Sequence, residues 1–154
     1  MLFRSDTSVS GPDSQASTGR EGLPANLRSD ARERALELVY EAECKNESID
    51  VVLAALPISP DPFARSLAVG IDEHRDDALT LIKRFARPDW PVSRMPVIDR
   101  LVLRMAIEEL DHHRATPKAV VIDEAVEMAK KFSTDDSGRF VNGMLTSIAD
   151  HLGR

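Results

Sequence analysis

Histidine, cysteine and acidic residues can hold metal ions or transfer protons, and they cluster at one place in this sequence. Asp111, His112 and His113 are consecutive, whereas His74 and His151 stand alone. Consecutive residues on a helix project in different directions, and no second group lies at ligand spacing, so the pattern favours a solvated helix end over a metal site. We therefore predict no bound metal and no cofactor.

Catalytic motifs are missing from the sequence. It has no glycine-rich phosphate loop, no G-x-S-x-G nucleophile motif and no H-E-x-x-H zinc motif. The acid pairs Asp76-Asp77, Glu108-Glu109 and Asp123-Glu124 are sequence neighbours, which indicates solvated or partner-facing positions. Cys44, the single cysteine, is predicted to be a small buried or half-buried hydrophobic residue. We predict that the protein is not an enzyme.

Basic and aromatic side chains at two places suit contacts with RNA. Arg28, Arg32 and Arg34 lie at and just inside the first predicted helix, and guanidinium groups hold phosphates or stack on bases. An ordinary charged helix face is the alternative, because glutamates are interspersed. Farther along, Arg139 precedes Phe140, an arrangement that suits stacking on single-stranded RNA. The alternative places the Phe140 ring in the core.

Two poor helix formers follow Phe140 inside a predicted helix. Gly143 costs about 1 kcal/mol relative to alanine, and Asn142 is unfavourable as well. Either the glycine lets a neighbouring helix approach while Asn142 bonds to a loop, or the start of this helix, with Asp136 exposed, belongs to a recognition surface.

Composition narrows the class of protein. The chain has 154 residues, 42% of them hydrophobic, which is enough for one domain with a core. Its net charge is -6, so any affinity for RNA must come from a local patch. No apolar run is long enough to span a membrane and no secretory signal is recognisable, which predicts a cytoplasmic protein without membrane contact.

The elements in the first half are predicted to be helices after a disordered tail. Residues 1–27 are rich in serine and glycine and are predicted to be disordered. Helical spacing of apolar residues predicts a helix over about 30–44, with Asp30 in a capping box. Ser48 caps a short second helix. A long third helix is predicted over about 60–85, ended by prolines.

The second half also reads as helical. Residues 97–110 are apolar almost all round, which is typical of a helix surrounded by others. Thr116-Pro117 starts the next helix, and Asp136-Ser137 caps the last one. No segment alternates as a strand would. The sequence predicts an all-α protein whose single domain, 28–154, has helical subdomains at 28–90 and 91–154.

One charged seam runs along the apolar helix. Arg100, Arg104 and Glu108 are spaced four residues apart, and Arg104 is placed to pair with Glu108. A second hypothesis follows from this seam. In it, the chain is a helical protein-interaction module that forms a homodimer through these residues and does not bind RNA directly.

Four motifs in order resemble those of the NusB family of bacterial antitermination factors, over nearly everything from Arg28 to Leu152. They are Ala31-Arg32-Glu33-Arg34-Ala35-Leu36 leading to Val39-Tyr40, Val97 through Ala106 ending in Glu109-Leu110, Pro117 followed by Ile122 through Lys130, and Asp136-Ser137 before Phe140-Val141-Asn142-Gly143. Ser29 and Asp30 occupy the place where some family members carry consecutive arginines.

The resemblance implies two three-helix bundles packed roughly perpendicular to each other. It also implies a function, the binding of boxA RNA of ribosomal RNA leaders together with NusE, a small-subunit ribosomal protein. The pair then joins the elongating RNA polymerase complex through other Nus factors.

The resemblance also implies site residues. RNA contacts would fall on one set of positions: Arg28, Arg32, Arg34, Tyr40, Asp136, Arg139 and Phe140. The residue expected to contact the protein partner is Asp99. RNA, NusE and the polymerase complex are thus the expected partners.

Overall fold

The computed structural model describes residues 25–154, and this part of the chain contains helices and no strand. The predicted all-α class is confirmed. None of the described helices is long and apolar enough to cross a membrane. The elements are α1 (Ala25–Lys45), α2 (Ile49–Ala54), α3 (Pro62–Glu73), α4 (Arg75–Phe85), a 3-10 turn (Val92–Arg94), α5 (Val97–His112), α6 (Lys118–Phe132) and α7 (Asp135–His151).

Helix α1 begins earlier than its sequence pattern predicts. Asp30 lies inside the helix, so the predicted capping box at this position is wrong. Most of the predicted tail, 1–24, lies outside the described residues, and its last three positions are helical. Apolar residues at helical spacing explain the stability of α1, because one side of it is buried in the core through Ala35, Leu38, Val39 and Ala42.

The predicted long third helix is wrong, because it is divided at His74. This residue has φ −100° and ψ 25° and separates α3 from α4. Helix α3 packs against α1, α2 and α5, whereas α4 packs against α5 and α7. The break therefore lets residues 75–85, expected in the N-terminal subdomain, join the C-terminal helices.

Helix α5 is the shared centre of the molecule. Every residue from 101 to 110 is buried, and α5 contacts α1, α3, α4, α6 and α7. This confirms the prediction of a helix surrounded by others. Helices α1 to α3 form one bundle and α4 to α7 the other, with the most extensive packing between α6 and α7.

The ends of the helices follow local chemistry closely. Ser48 caps α2 as predicted, accepting a hydrogen bond from the N–H of Val51 at 3.4 Å. The cap of α7 differs from the prediction, because Thr134 is the N-cap and Ser137 is the third helical residue of a reciprocal capping box. This capping box positions the start of α7, where several predicted site residues lie.

Candidate nucleic-acid interface

Arg32 is inside the protein. Only 1% of its side chain is exposed, and its Nε and Nη2 each donate to Glu109 at 2.8 Å. Its guanidinium carbon also lies 5.6 Å from the centre of the Phe63 ring. The role of a direct phosphate contact does not fit this geometry. Arg32 instead joins α1 to α5.

The neighbouring arginines are more accessible. Arg34 is exposed and pairs with Glu37 on its own helix at 3.0 Å. Arg28 is half-buried and makes no ion pair with any residue that the structure describes. Guanidinium groups in these positions can reach a phosphate, since a surface ion pair such as that of Arg34 is weak.

Tyr40 is exposed on α1, two turns beyond Arg32. A hydrogen bond with the side chain of Cys44 raises the pKa of Tyr40 above its ordinary value. Cys44 itself is exposed, so the prediction that it is a buried or half-buried residue is wrong. The tyrosine ring is available for contact with a base.

The C-terminal end of α6 lies beside the start of α1. Lys131 donates from Nζ to Glu33 at 2.8 Å, and Ser29 donates from Oγ to Glu124 at 2.8 Å. An open groove of about 520 Å³ lies between the two helices, with Lys130 also on its wall. These two lysines are not among the site residues predicted from the sequence, because spacing along the chain does not reveal that α1 lies next to them.

The start of α7 continues the same side of the molecule. A Cβ at Gly138 would lie 2.9 Å from the side chain of Lys130, so the end of α6 and the start of α7 are in close contact. Together, these contacts connect the first half of α1, which carries Arg34, with the end of α6, which carries Lys131, and with the start of α7, which carries Arg139.

Asp99 is buried beneath this surface. Its side chain is inaccessible, and Oδ2 accepts a hydrogen bond from Ser137 Oγ at 2.8 Å. Among the residues that the structure describes, its Oδ1 has no hydrogen-bond partner. The expected direct contact of Asp99 with a protein partner does not fit this burial. Asp99 instead ties the start of α5 to the start of α7.

Phe140 packs against Trp90. The two ring centres are 4.1 Å apart, with an angle of 53° between the planes, and both side chains are half-buried. Arg139 and Asp136 are exposed on the same helix start. Neither alternative for Phe140 applies fully, since the ring packs against Trp90 and the core yet stays partly accessible.

Gly143 is not a site of close helix approach. A Cβ placed there would meet no atom of residues 25–154 within 4 Å, and both Gly143 and Asn142 are exposed. The suggested approach of a neighbouring helix is therefore wrong. The backbone carbonyl of Asn142 accepts a hydrogen bond from Thr146 Oγ1 at 2.8 Å within the same helix.

The predicted seam on α5 is mostly internal. Arg104 donates to the carbonyl of Ile71 at 3.2 Å and approaches Glu43 at 3.6 Å, so its predicted pairing with Glu108 is wrong. Burial lowers the pKa of Arg104 from its ordinary value. Arg104 and Glu108 are both buried and Arg100 is half-buried, which leaves little of this seam for a homodimer.

His74 is isolated in the sequence but not in the fold. Its Nδ1 donates to Glu108 Oε2 at 2.8 Å, and its ring stacks on that of His112 with centres 3.9 Å apart. This hydrogen bond raises the pKa of His74 above its ordinary value, with burial opposing the effect.

Comparison with known families agrees with the fold. Residues 29–150 match the family model described as NusB family. A protein of Streptomyces griseus subsp. griseus named Transcription antitermination protein NusB is 43% identical over 80% of this chain and 92% of its own length. A protein of the same name from Clavibacter sepedonicus is 40% identical over 80% of this chain and 96% of its own.

Solved structures show the same architecture. NusB of T. maritima superposes with a TM-score of 0.71 at 34% identity, covering 83% of this chain and 92% of that one. A structure described as antitermination factors NusB and NusE in complex with dsRNA matches with a TM-score of 0.69 at 22% identity, covering 82% and 98%. At 22% identity, the likeness to the NusB–NusE structure shows a shared fold and no more.

Proposed function

Because the chain belongs to the NusB family, we propose that it is a transcription antitermination factor that binds boxA-type RNA of ribosomal RNA leaders. In this proposal it acts with the small-subunit ribosomal protein NusE and joins the elongating RNA polymerase complex through other Nus factors. Its role is to bind, not to catalyse. The relatives carry the antitermination name, and a protein of the same fold is described with NusE and RNA.

The observation that carries the RNA proposal is the meeting of α1, α6 and α7. Contacts of Glu33 with Lys131 and of Gly138 with Lys130 bring the first half of α1, the end of α6 and the start of α7 together. Phosphate contacts supply most of the affinity of such proteins, and bases stack on aromatic rings. The local cations can therefore attract RNA although the whole chain is acidic.

We assign distinct roles to the site residues. Direct RNA contacts are proposed for the accessible groups: Arg28, Arg34, Tyr40, Lys130, Lys131, Asp136, Arg139 and Phe140. Arg32 and Asp99 support this surface from below, through Glu109 and Ser137 respectively. For the protein partner, the start of α5 offers the exposed Val97 and the half-buried Arg100.

The RNA surface is tested by fluorescence anisotropy with a labelled boxA-like RNA, with and without NusE. We expect Lys131→Ala to weaken the binding of RNAs of any sequence. The slope of log K against log salt concentration should become shallower by about 0.7 for each phosphate contact that is lost to a single strand. Lys118→Ala is the matched control, because Lys118 is exposed at the opposite end of the same helix. Equal losses in both variants would contradict the assigned surface. No complex under either condition at low salt would contradict RNA binding itself.

The partner surface needs a separate measurement. Arg100→Glu reverses a charge near the start of α5 and is expected to weaken the NusE complex while leaving partner-free RNA binding unchanged. Calorimetric titration of NusE into each protein measures this effect, and Lys118→Glu supplies the control for charge reversal. An unchanged NusE affinity would show that the partner binds elsewhere.

A further inference from the structure

Three potential metal ligands from two parts of the chain meet where α5 packs beside the break between α3 and α4. Ligand atoms of His74, Glu108 and His112 all lie within 4.8 Å of one another. Glu108 is almost fully buried, whereas the side chains of His74 and His112 are 32% and 41% exposed. The cluster therefore has an anionic base inside the protein and two imidazoles at the surface.

The local fold explains why these residues converge. Glu108 and His112 are four residues apart on α5, so both side chains lie on one face of the helix. His74 reaches them from the break between α3 and α4. The same spacing of two ligands on one helix face occurs in zinc-binding helices.

Glycine at position 70 makes room for the carboxylate. A Cβ at Gly70 would lie only 2.0 Å from Glu108 Oε1, so no larger residue fits there without moving Glu108. The carboxylate is then oriented by His74 at 2.8 Å, and His113 Nε2 lies 3.8 Å from Oε1. Glu108 is thus held against α3 with imidazoles on its open side.

The surroundings suit a cation of modest size. A small cavity of about 20 Å³ touches the cluster and has Asp77 and Asp111 on its wall. That volume accommodates about one water-sized particle. Arg104 also lines the cavity, but its guanidinium bonds to Ile71 and approaches Glu43. The two aspartates add negative charge where a cation would enter.

We propose that His74, Glu108 and His112 form a binding site for a borderline divalent cation, Zn²⁺ above all. Imidazole nitrogen and carboxylate oxygen are ligands that zinc takes readily, at about 2.0–2.2 Å. Ligand atoms around one tetrahedral ion are about 3.4 Å apart. Separations among these ligand atoms reach 4.8 Å at most, so the longest must shorten by up to about 1.4 Å, while His74 Nδ1 and Glu108 Oε2, now 2.8 Å apart, must separate slightly. Water fills the remaining position.

A bound ion would fasten the α3–α4 junction to α5, the helix on which both bundles pack. An ion that binds the folded state and not the unfolded state raises the free energy of unfolding. Once the site is nearly saturated, this increase grows with the logarithm of the free metal concentration. This site is separate from the proposed RNA surface, and its presence does not depend on antitermination activity.

The test is calorimetric titration of Zn²⁺ into the full chain after EDTA treatment and dialysis. We expect one ion per chain in the wild type and at least tenfold weaker binding in His112→Ala, whose exposed position leaves the fold intact. His151→Ala and Cys44→Ser are controls, because each removes an exposed zinc-binding side chain outside the cluster. Both controls are expected to bind as the wild type does.

Spectroscopy of the histidine ring nitrogens provides a second measurement. Zinc is expected to shift the ring signals of His74 and His112 and to leave that of His151 in place. Absence of binding in the wild type would overturn the proposal. So would wild-type affinity in His112→Ala, or a ring shift confined to His151.

Discussion

Glu108 and Glu109 are consecutive residues on α5, and both carboxylates are almost completely buried. Glu109 receives two hydrogen bonds from the fork of Arg32, each 2.8 Å long, and that arginine is itself buried. Glu108 receives one hydrogen bond from His74, whose ring is partly exposed. The cost of burying a carboxylate is therefore offset by an arginine at Glu109 and by a histidine at Glu108.

The difference teaches what each pair can do. An arginine stays charged and presents a rigid planar fork, so the Arg32–Glu109 pair is a permanent joint between α1 and α5. A protonated histidine carries one proton on each ring nitrogen, and it loses one of them near neutral pH. The Glu108 pair can therefore exchange a proton or a metal ion, whereas the Glu109 pair cannot.

The largest effect is expected at the permanent joint. Arg32→Ala leaves Glu109 buried without its cation, and breaking such a pair costs about 3–5 kcal/mol of the free energy of unfolding. Urea unfolding measures the loss, and Arg34→Ala, whose ion pair is exposed, is expected to stay within about 0.5 kcal/mol. If the free energy of unfolding falls equally in both variants, the buried Arg32 pair is no more stabilising than the exposed Arg34 pair, and the expected difference is absent.

A smaller loss is expected beside Glu108. Gly70→Ala forces the carboxylate away from His74, and overfilling a packed site costs about 1–3 kcal/mol. Gly143→Ala is the matched control, because its Cβ meets open space and alanine favours the helix by up to about 1 kcal/mol. Urea unfolding in EDTA should therefore show a lower free energy of unfolding for Gly70→Ala and a higher one for Gly143→Ala. A higher free energy of unfolding in both variants would refute the tight fit at Gly70.

The smallest effect is a pH dependence of the exchangeable pair. Glu108, with help from Glu73 and Asp77, raises the pKa of His74, against which His112 stacks. The charged form is thus favoured by folding, so this stabilisation is complete below the unfolded pKa of about 6.5 and is lost as pH rises through the higher folded pKa.

Urea unfolding of the wild type and of His74→Gln, both in EDTA, measures this dependence. The difference in stability between the two proteins should shrink as pH rises above neutrality. A difference that stays constant across that range would mean that the Glu108 pair does not titrate, and the contrast with Glu109 would lose its basis.

Local features were predictable because they depend on neighbours in the sequence. The burial of α5, the Ser48 cap and the all-helical class all follow from periodicity and from capping chemistry that act over a few residues. The same reasoning failed at His74, where nothing in the local pattern signals a helix break. The break follows from packing, because residues 75–85 turn to contact α5 and α7.

The site residues show where the limit lies. Arginines near the start of α1 could be found from sequence, but their exposure could not, since Arg32 meets a glutamate 77 residues away. Lys131 joins the proposed RNA surface through a similar long-range contact, because it bonds to Glu33, 98 residues away in the chain.

By itself the amino-acid sequence determined the all-helical class, the buried central helix and the family motifs, since these depend on short-range spacing of side chains. Only the tertiary structure decided which charged groups are exposed and which are paired. Burial and partner choice depend on contacts between residues distant in the chain, and the cost of an unpaired buried charge is large enough to determine which of them pair.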